Sequence, residues 1–258
     1  MRRPARHRVR LQGPRRAAGF SLLELAVSVT VIGVLGMLAT SGYADFAQVR
    51  ARARAQAEAE VALQAVRTFA LKNKRLPCPD LSANGDGARE GAAGTCPAGA
   101  QVGWLPYETL GLTRPDRSMR MRYAVSRGGG ADLVAPAGGA SDGLDLDGNG
   151  RLRATLGAAA RLPAGSDRPY LTGRGSPAEP ESCGSVRANP AFALVAPVSD
   201  RDDAGGLQAG FDGVNLQMAA SGSLCIASPG RAMDAAYDDV VVAEGASALL
   251  GWLAAHTR

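Results

Sequence analysis

Histidine is nearly missing from this 258-residue chain: His7 lies close to the start and His256 two residues before the end. The body of the protein therefore lacks the usual general base, triad member and imidazole metal ligand. No Cys-x-x-Cys spacing joins its four cysteines, Cys78, Cys96, Cys183 and Cys225, which argues against zinc. Aromatics are scarce at 5%, against 33 Gly and 15 Pro, so a modest core and long irregular connections are expected. A basic surface is missing too, despite a formal charge of +5. Seven arginines (Arg2, Arg3, Arg6, Arg8, Arg10, Arg15, Arg16) precede Gly19 with no acid among them, which leaves 22 basic against 24 acidic groups in the other 239 residues. A net charge of −2 there offers little counterion release, and no nucleic-acid partner is expected.

What the sequence does have is one long apolar run. Residues 20–43 contain a single charged side chain, Glu24. About 20 helical residues at about 1.5 Å each cross a hydrocarbon core of about 30 Å, and this run supplies them. The leader arginines on its N-terminal side place Met1 in the cytoplasm and the bulk of the chain outside. A secretory signal peptide is the ordinary reading of such a pattern. Glu24 argues against it, because a carboxylate costs on the order of 2.5–3.5 kcal/mol at the bilayer centre and needs a partner. Cleavage between Gly19 and Phe20 would expose an α-amine four residues away.

Gly19-Phe20-Ser21-Leu22-Leu23-Glu24-Leu25, with a basic leader before it and an apolar stretch after it, resembles the processing site of type IV prepilins and type II secretion pseudopilins. The resemblance implies cleavage after Gly19 by prepilin peptidase, N-methylation of Phe20, and docking of Glu24 against the Phe20 amine of a neighbouring subunit. It implies an inner-membrane protein with its globular domain in the periplasm, later part of a pilus or pseudopilus beside other pilin subunits. Many pilins carry a proline in the membrane half of this helix; here only Gly33, Gly36 and Gly42 interrupt it.

Residues 44–74 contain no Pro or Gly and are rich in Ala, Arg, Gln, Glu and Leu, so the helix should continue. Arg54 and Glu58 form an i, i+4 pair, and Ala62, Ala65, Val66, Phe69 and Ala70 make an apolar stripe suited to covering a sheet. With Pro77 as terminator, residues 20–74 would give about 80 Å of nearly continuous helix. The expected organisation is a leader (1–19), a transmembrane half (20–44), an amphipathic half (45–75) and a globular β-rich domain (76–258).

In that domain the candidate strands are 121–126, 131–135, 192–198, 214–218, 223–228 and 239–243, with a helix at 246–255. Strands gathered after one long helix predict an α+β fold with an antiparallel sheet, pilin-like in plan. Four cysteines in an oxidising space allow three pairings, of which proximity in sequence favours Cys78 with Cys96 and Cys183 with Cys225. Trp104, Tyr107, Leu110 and Leu112 are read as core. Asp145-Leu146-Asp147-Gly148-Asn149-Gly150 matches the opening of a calcium loop, with Asp145, Asp147 and Asn149 as ligands, but the twelfth position is Leu156 rather than Glu. Asn84-Gly85-Asp86-Gly87, near Asp80 and Glu90, is a second oxygen-rich turn. No other cofactor is expected.

The function expected is a structural one: a minor pilin or pseudopilin assembled through its N-terminal helix. The alternative is a pilus-associated binding module, an adhesin or DNA-uptake pilin. An enzyme would have to rely on carboxylates such as Asp142, Asp145, Asp238 and Asp239, which no spacing pairs, and catalysis is not expected.

Overall fold

A computed structural model describes residues 21–92, 96–135, 150–173, 181–201 and 210–256. The chain divides into two units, Met1–Gln48 and Val49–Arg258, and helix α1 (Leu22–Asn73) begins in the first and ends in the second. The helix passes Gly33, Gly36 and Gly42 without a break. It stops before Pro77: Lys74 adopts a left-handed φ of 58° and its N–H caps the Ala70 carbonyl at 2.9 Å.

In the second unit the expected stripe on α1 is buried and reaches farther back than the pattern suggested, through Ala55, Ala59, Ala62, Leu63, Val66, Phe69 and Ala70, with Ala65 half-buried. Mostly alanines, it shares one core cluster with the face of a sheet. That sheet is four-stranded and antiparallel, in the order β1 (Val102–Trp104), β2 (Arg122–Val125), β4 (Phe192–Ala196), β6 (Val240–Glu244). Side chains alternate across it, as a period of two requires. Tyr123, Val125, Phe192, Leu194, Val240 and Val242 join the α1 stripe, together with Leu152 and Leu156 of α2 (Gly150–Arg161) and Leu249 and Leu253 of α4 (Ala246–His256). Trp104, Ala124, Ala193, Val195 and Val241 face a second cluster. This contains Val214 and Met218 of α3 (Val214–Ser221) and residues of a two-stranded parallel sheet, β3 (Tyr170–Leu171) with β5 (Cys225–Ile226). Arg67 of α1 reaches Glu244 at the end of β6 with two bonds of 2.9 and 2.8 Å, and the Arg54–Glu58 pair forms on the exposed face at 2.7 Å.

The fold is therefore α+β, with an N-terminal helix and an antiparallel main sheet. Two expected strands are corrected. Residues 214–218 form the first turns of α3: β-branched Val214 reads as strand, but Val214 and Met218 are buried at i, i+4 spacing, and Gly222 closes the helix at a left-handed φ of 68°. Residues 131–135 form no strand. Gly128, Gly129 and Gly130 all hold positive φ, and the Asp132 carboxylate accepts the N–H groups of Val134 and Ala135 (2.9 and 3.1 Å), diverting them from any ladder. Helix α2 lies where no element was expected, and β1 and β3 are strands too short to show a period.

Candidate functional site

The site begins at the first described residue. Ser21 stands just before α1 and accepts the N–H of Glu24 on its hydroxyl at 3.2 Å, which makes it the helix N-cap. Ser21-Leu22-Leu23-Glu24 thus has the sequence of a capping box, and the Glu24 carboxylate lies in the first turn, where the helix dipole favours a negative charge. Glu24 is exposed, and among the described residues none donates to its carboxylate. Its position is ready for a cationic partner. Gly19 and Phe20, the expected cleavage pair, lie outside the described residues.

Beyond the cap, no large apolar side chain is hidden among the described residues up to Met37. Leu22, Leu23, Leu25, Val27, Val29, Val31, Ile32, Val34 and Met37 are all exposed, from 50% at Val31 to 90% at Leu22. The polar groups among them are satisfied internally: Ser28 Oγ donates to the Glu24 carbonyl at 2.7 Å and Thr30 Oγ1 to the Ala26 carbonyl at 2.8 Å. A helix that is apolar all round and has folded its hydroxyls onto its own backbone is suited to an apolar environment, not to water. Among the described residues no helix is long and apolar enough to cross a membrane. The run expected to do so, 20–43, includes Phe20 and side chains at 35–36 and 38–43 that lie outside those described.

The other expected residues fall in three groups. The cysteines form Cys78–Cys96 and Cys183–Cys225, the pairs that proximity favoured, closing separations of 18 and 42 residues. Asp145, Asp147 and Asn149 lie outside the described residues. The oxygens of the turn at 84–87 are taken by guanidinium groups: Arg114 on the Asp86 carbonyl, Arg117 on the Asn84 side chain, and Arg120 on the Asn84 carbonyl and the Asp86 carboxylate. Glu90 is held by Arg75 in two bonds of 2.6 and 2.9 Å. Arginine thus occupies the positions a metal would need. Trp104 and Tyr107 are buried, and the Tyr107 hydroxyl accepts the Met121 N–H at 2.8 Å.

Sequence reasoning missed one gathering. Asp238 and Asp239 were visible only as unpaired carboxylates, and the structure brings Asp212 to them. Burial pushes the Asp239 carboxyl well above the usual range, against the hydrogen bonds from the Asp212 N–H and Asn215, and the neighbouring Asp212 and Asp238 charges push it further. No local signal marks Asp212, which stands 26 residues from Asp238.

Residues 14–40 match the family model described as the prokaryotic N-terminal methylation motif. No curated protein and no solved structure matches the chain. The motif marks structural pilin-type proteins, which are generally not enzymes, and it implies processing by prepilin peptidase and assembly with other pilin subunits. The matched residues span the Ser21 cap, Glu24 and most of the exposed apolar helix, so the chain carries the prepilin-type cleavage and methylation signal of type IV pilins and pseudopilins.

Proposed function

We propose that the chain is a minor pilin or pseudopilin, cut between Gly19 and Phe20, N-methylated on Phe20, and assembled through α1 into a type IV pilus or a type II secretion pseudopilus. The observation that carries this reading is the coincidence of the methylation motif with a capped helix start whose described large apolar side chains, from Leu22 to Met37, are exposed. Each such side chain costs about 1.5–3 kcal/mol when left in water rather than buried. Nine of them in succession need lipid before assembly and neighbouring helices afterwards.

Glu24 gives the assembly its register. In the membrane its carboxylate is an expense; beside the α-amine of Phe20 on an adjacent subunit it becomes half of an ion pair in a low dielectric. The leader arginines hold Met1 in the cytoplasm, and the second unit lies in the periplasm, where both disulfides are stable. The size of that unit and its long Gly- and Pro-rich connections favour a minor over a major subunit. On this reading the two-sided sheet and its helical cover serve as a pilin-like head, with a structural rather than a catalytic role.

Mass spectrometry of the mature amino terminus tests the processing step. The expected result is a chain beginning at N-methylated Phe20; a terminus near residue 45, or the uncut chain in cells with active prepilin peptidase, would refute it. Glu24→Ala tests the docking step. The expected variant is processed and membrane-bound but is not recruited into the filament.

A further inference from the structure

A cleft opens beside the second half of α1, between the helix and the connection from β1 to β2. Its volume is about 650 Å3, within the range of about 300–1,000 Å3 usual for ligand pockets. Its lining is mostly apolar: Val61 on α1, and Tyr107, Leu112, Pro115 and Met121 on the connection. Val61 is 59% exposed, the highest value among the described large apolar side chains of the second unit. The polar groups at the cleft are already engaged for the most part. Arg54 and Glu58 neutralise one another at 2.7 Å, and the Tyr107 hydroxyl accepts the Met121 N–H.

The connection that forms one wall also carries three arginines. Arg120 is buried and pairs with the Asp86 carboxylate at 2.6 Å. Arg114 and Arg117 are exposed and meet only neutral acceptors, the Asp86 carbonyl and the Asn84 side chain, each at 2.6 Å. Neither forms an ion pair among the described residues. The bond from Arg120, with the Arg114 charge beside it, holds the Asp86 carboxyl below its ordinary value. Counted together, Arg114, Arg117 and Arg120 stand against Asp86 and Asp116, which leaves one positive charge in excess on a body whose net charge is −2. One N–H of Arg114 and one of Arg117 are fixed by the turn, so both guanidinium groups are already oriented. Their remaining N–H groups suit the two-pronged contact that arginine makes with a carboxylate.

We propose that this cleft and the two arginines beside it dock an acidic peptide segment of a partner protein. One large apolar side chain of the partner enters the cleft against Val61, and carboxylates on the residues flanking it meet Arg114 and Arg117. The anchor supplies the affinity and the charges at the rim supply the orientation. The lining disfavours other anionic polymers. Sugar hydroxyls or nucleotide bases set against Val61, Leu112, Pro115 and Met121 would lose hydrogen bonds to water without replacement, and one excess charge gives little counterion release. The surface belongs to the second unit alone and takes no part in processing, so this proposal and the pilin reading fail separately.

The test uses the full chain in nanodiscs of zwitterionic lipid at low salt and an array of fluorescent peptides, each with one leucine, phenylalanine or methionine flanked by two glutamates on either side. Binding is read by anisotropy. At least one peptide of the array should bind, and its counterparts with lysine flanks or a central alanine should bind roughly tenfold more weakly or not at all. The double variant Arg114→Gln, Arg117→Gln and the single variant Val61→Gln should each weaken the acidic peptide by a similar factor. Arg151→Gln with Arg161→Gln removes the same charge from the exposed face of α2 and should leave binding unchanged. No binding by any peptide of the array, equal binding of the lysine-flanked set, or full binding by either cleft variant overturns the proposal. Heparin bound through the same arginines but indifferent to Val61→Gln would also overturn it, and would assign the pair to an anionic polymer. Should a variant fail to fold, protection of Arg114 and Arg117 from phenylglyoxal by the peptide decides in the wild type; protection is expected, and its absence counts against the proposal.

Discussion

Two stretches of valine behave in opposite ways. Val27, Val29 and Val31 alternate with Ser28 and Thr30, a strand-like period, yet they lie in α1 and are 55%, 62% and 50% exposed. Val240, Val241 and Val242 run consecutively, form β6 and are 2–9% exposed. The difference lies in what each stretch finds around it. Strand β6 pairs with β4 and meets a core cluster on each face, so it completes its burial within the chain. Val27, Val29 and Val31 are held helical by a capped start, the strong helix formers before them and hydroxyls bonded to i−4 carbonyls, and no packing within the described chain buries them. One unit stabilises itself, whereas the other depends on its surroundings.

The largest break in that contrast should come from Leu194→Ala. Leu194 is fully buried between Tyr123 and Val242 in the sheet, and truncation should cost about 2–5 kcal/mol in chemical denaturation of the purified protein. Leu25→Ala removes a side chain of the same size in the exposed helix and should leave that transition in place while lowering incorporation into filaments. Equal effects of the two variants on unfolding would erase the distinction. Next in size is Arg67→Met, which leaves Glu244 buried without its partner and should destabilise by about 3 kcal/mol, measured by the same titration. Removing the longer disulfide with Cys183→Ser and Cys225→Ser should cost about 2–4 kcal/mol and leave processing at Gly19 unchanged.

The smallest effect is electrostatic. Burial raises the Asp132 carboxyl, but Arg127 and the N–H groups of Ala135 and Val134 outweigh it and hold its pKa below the ordinary carboxylate value. Its contribution is therefore present above the unfolded-state pKa near 4 and is lost as the pH falls through the lower folded value. Solvent screening of this partly exposed pair keeps it to less than about 1 kcal/mol. Asp132→Asn should lower stability at pH 7 by up to that amount and by progressively less as the pH falls through the acid range, which flattens the acid limb of a stability–pH curve slightly.

Much of the architecture was legible because its signals are local. Helix α1 follows from composition, α4 from the run of residues 246–255, and β2, β4, β5 and β6 from short β-branched or apolar runs between turns. Where local signals conflict with packing, packing decided. Val214 looks like a strand residue, but its partner in the core is Met218 one helical turn on. The segment at 131–135 looks like a strand until the Asp132 side chain captures its N–H groups. Helix α2 carries Leu152 and Leu156 in a stretch otherwise rich in Gly, Ala and Arg, and two large apolar residues make a faint period.

The sequence by itself determined the processing signal, the apolar helix that follows it and the near-neutral charge of the body, since each is a property of neighbouring residues. Only the tertiary structure decided which carboxylates meet. Asp212 and Asp238 are brought within reach because α3 and β6 pack into one cluster, which buries them together with Asp239. Contacts across 26 residues leave no trace in local pattern, because they are fixed by which surfaces must be hidden together rather than by which residues are adjacent.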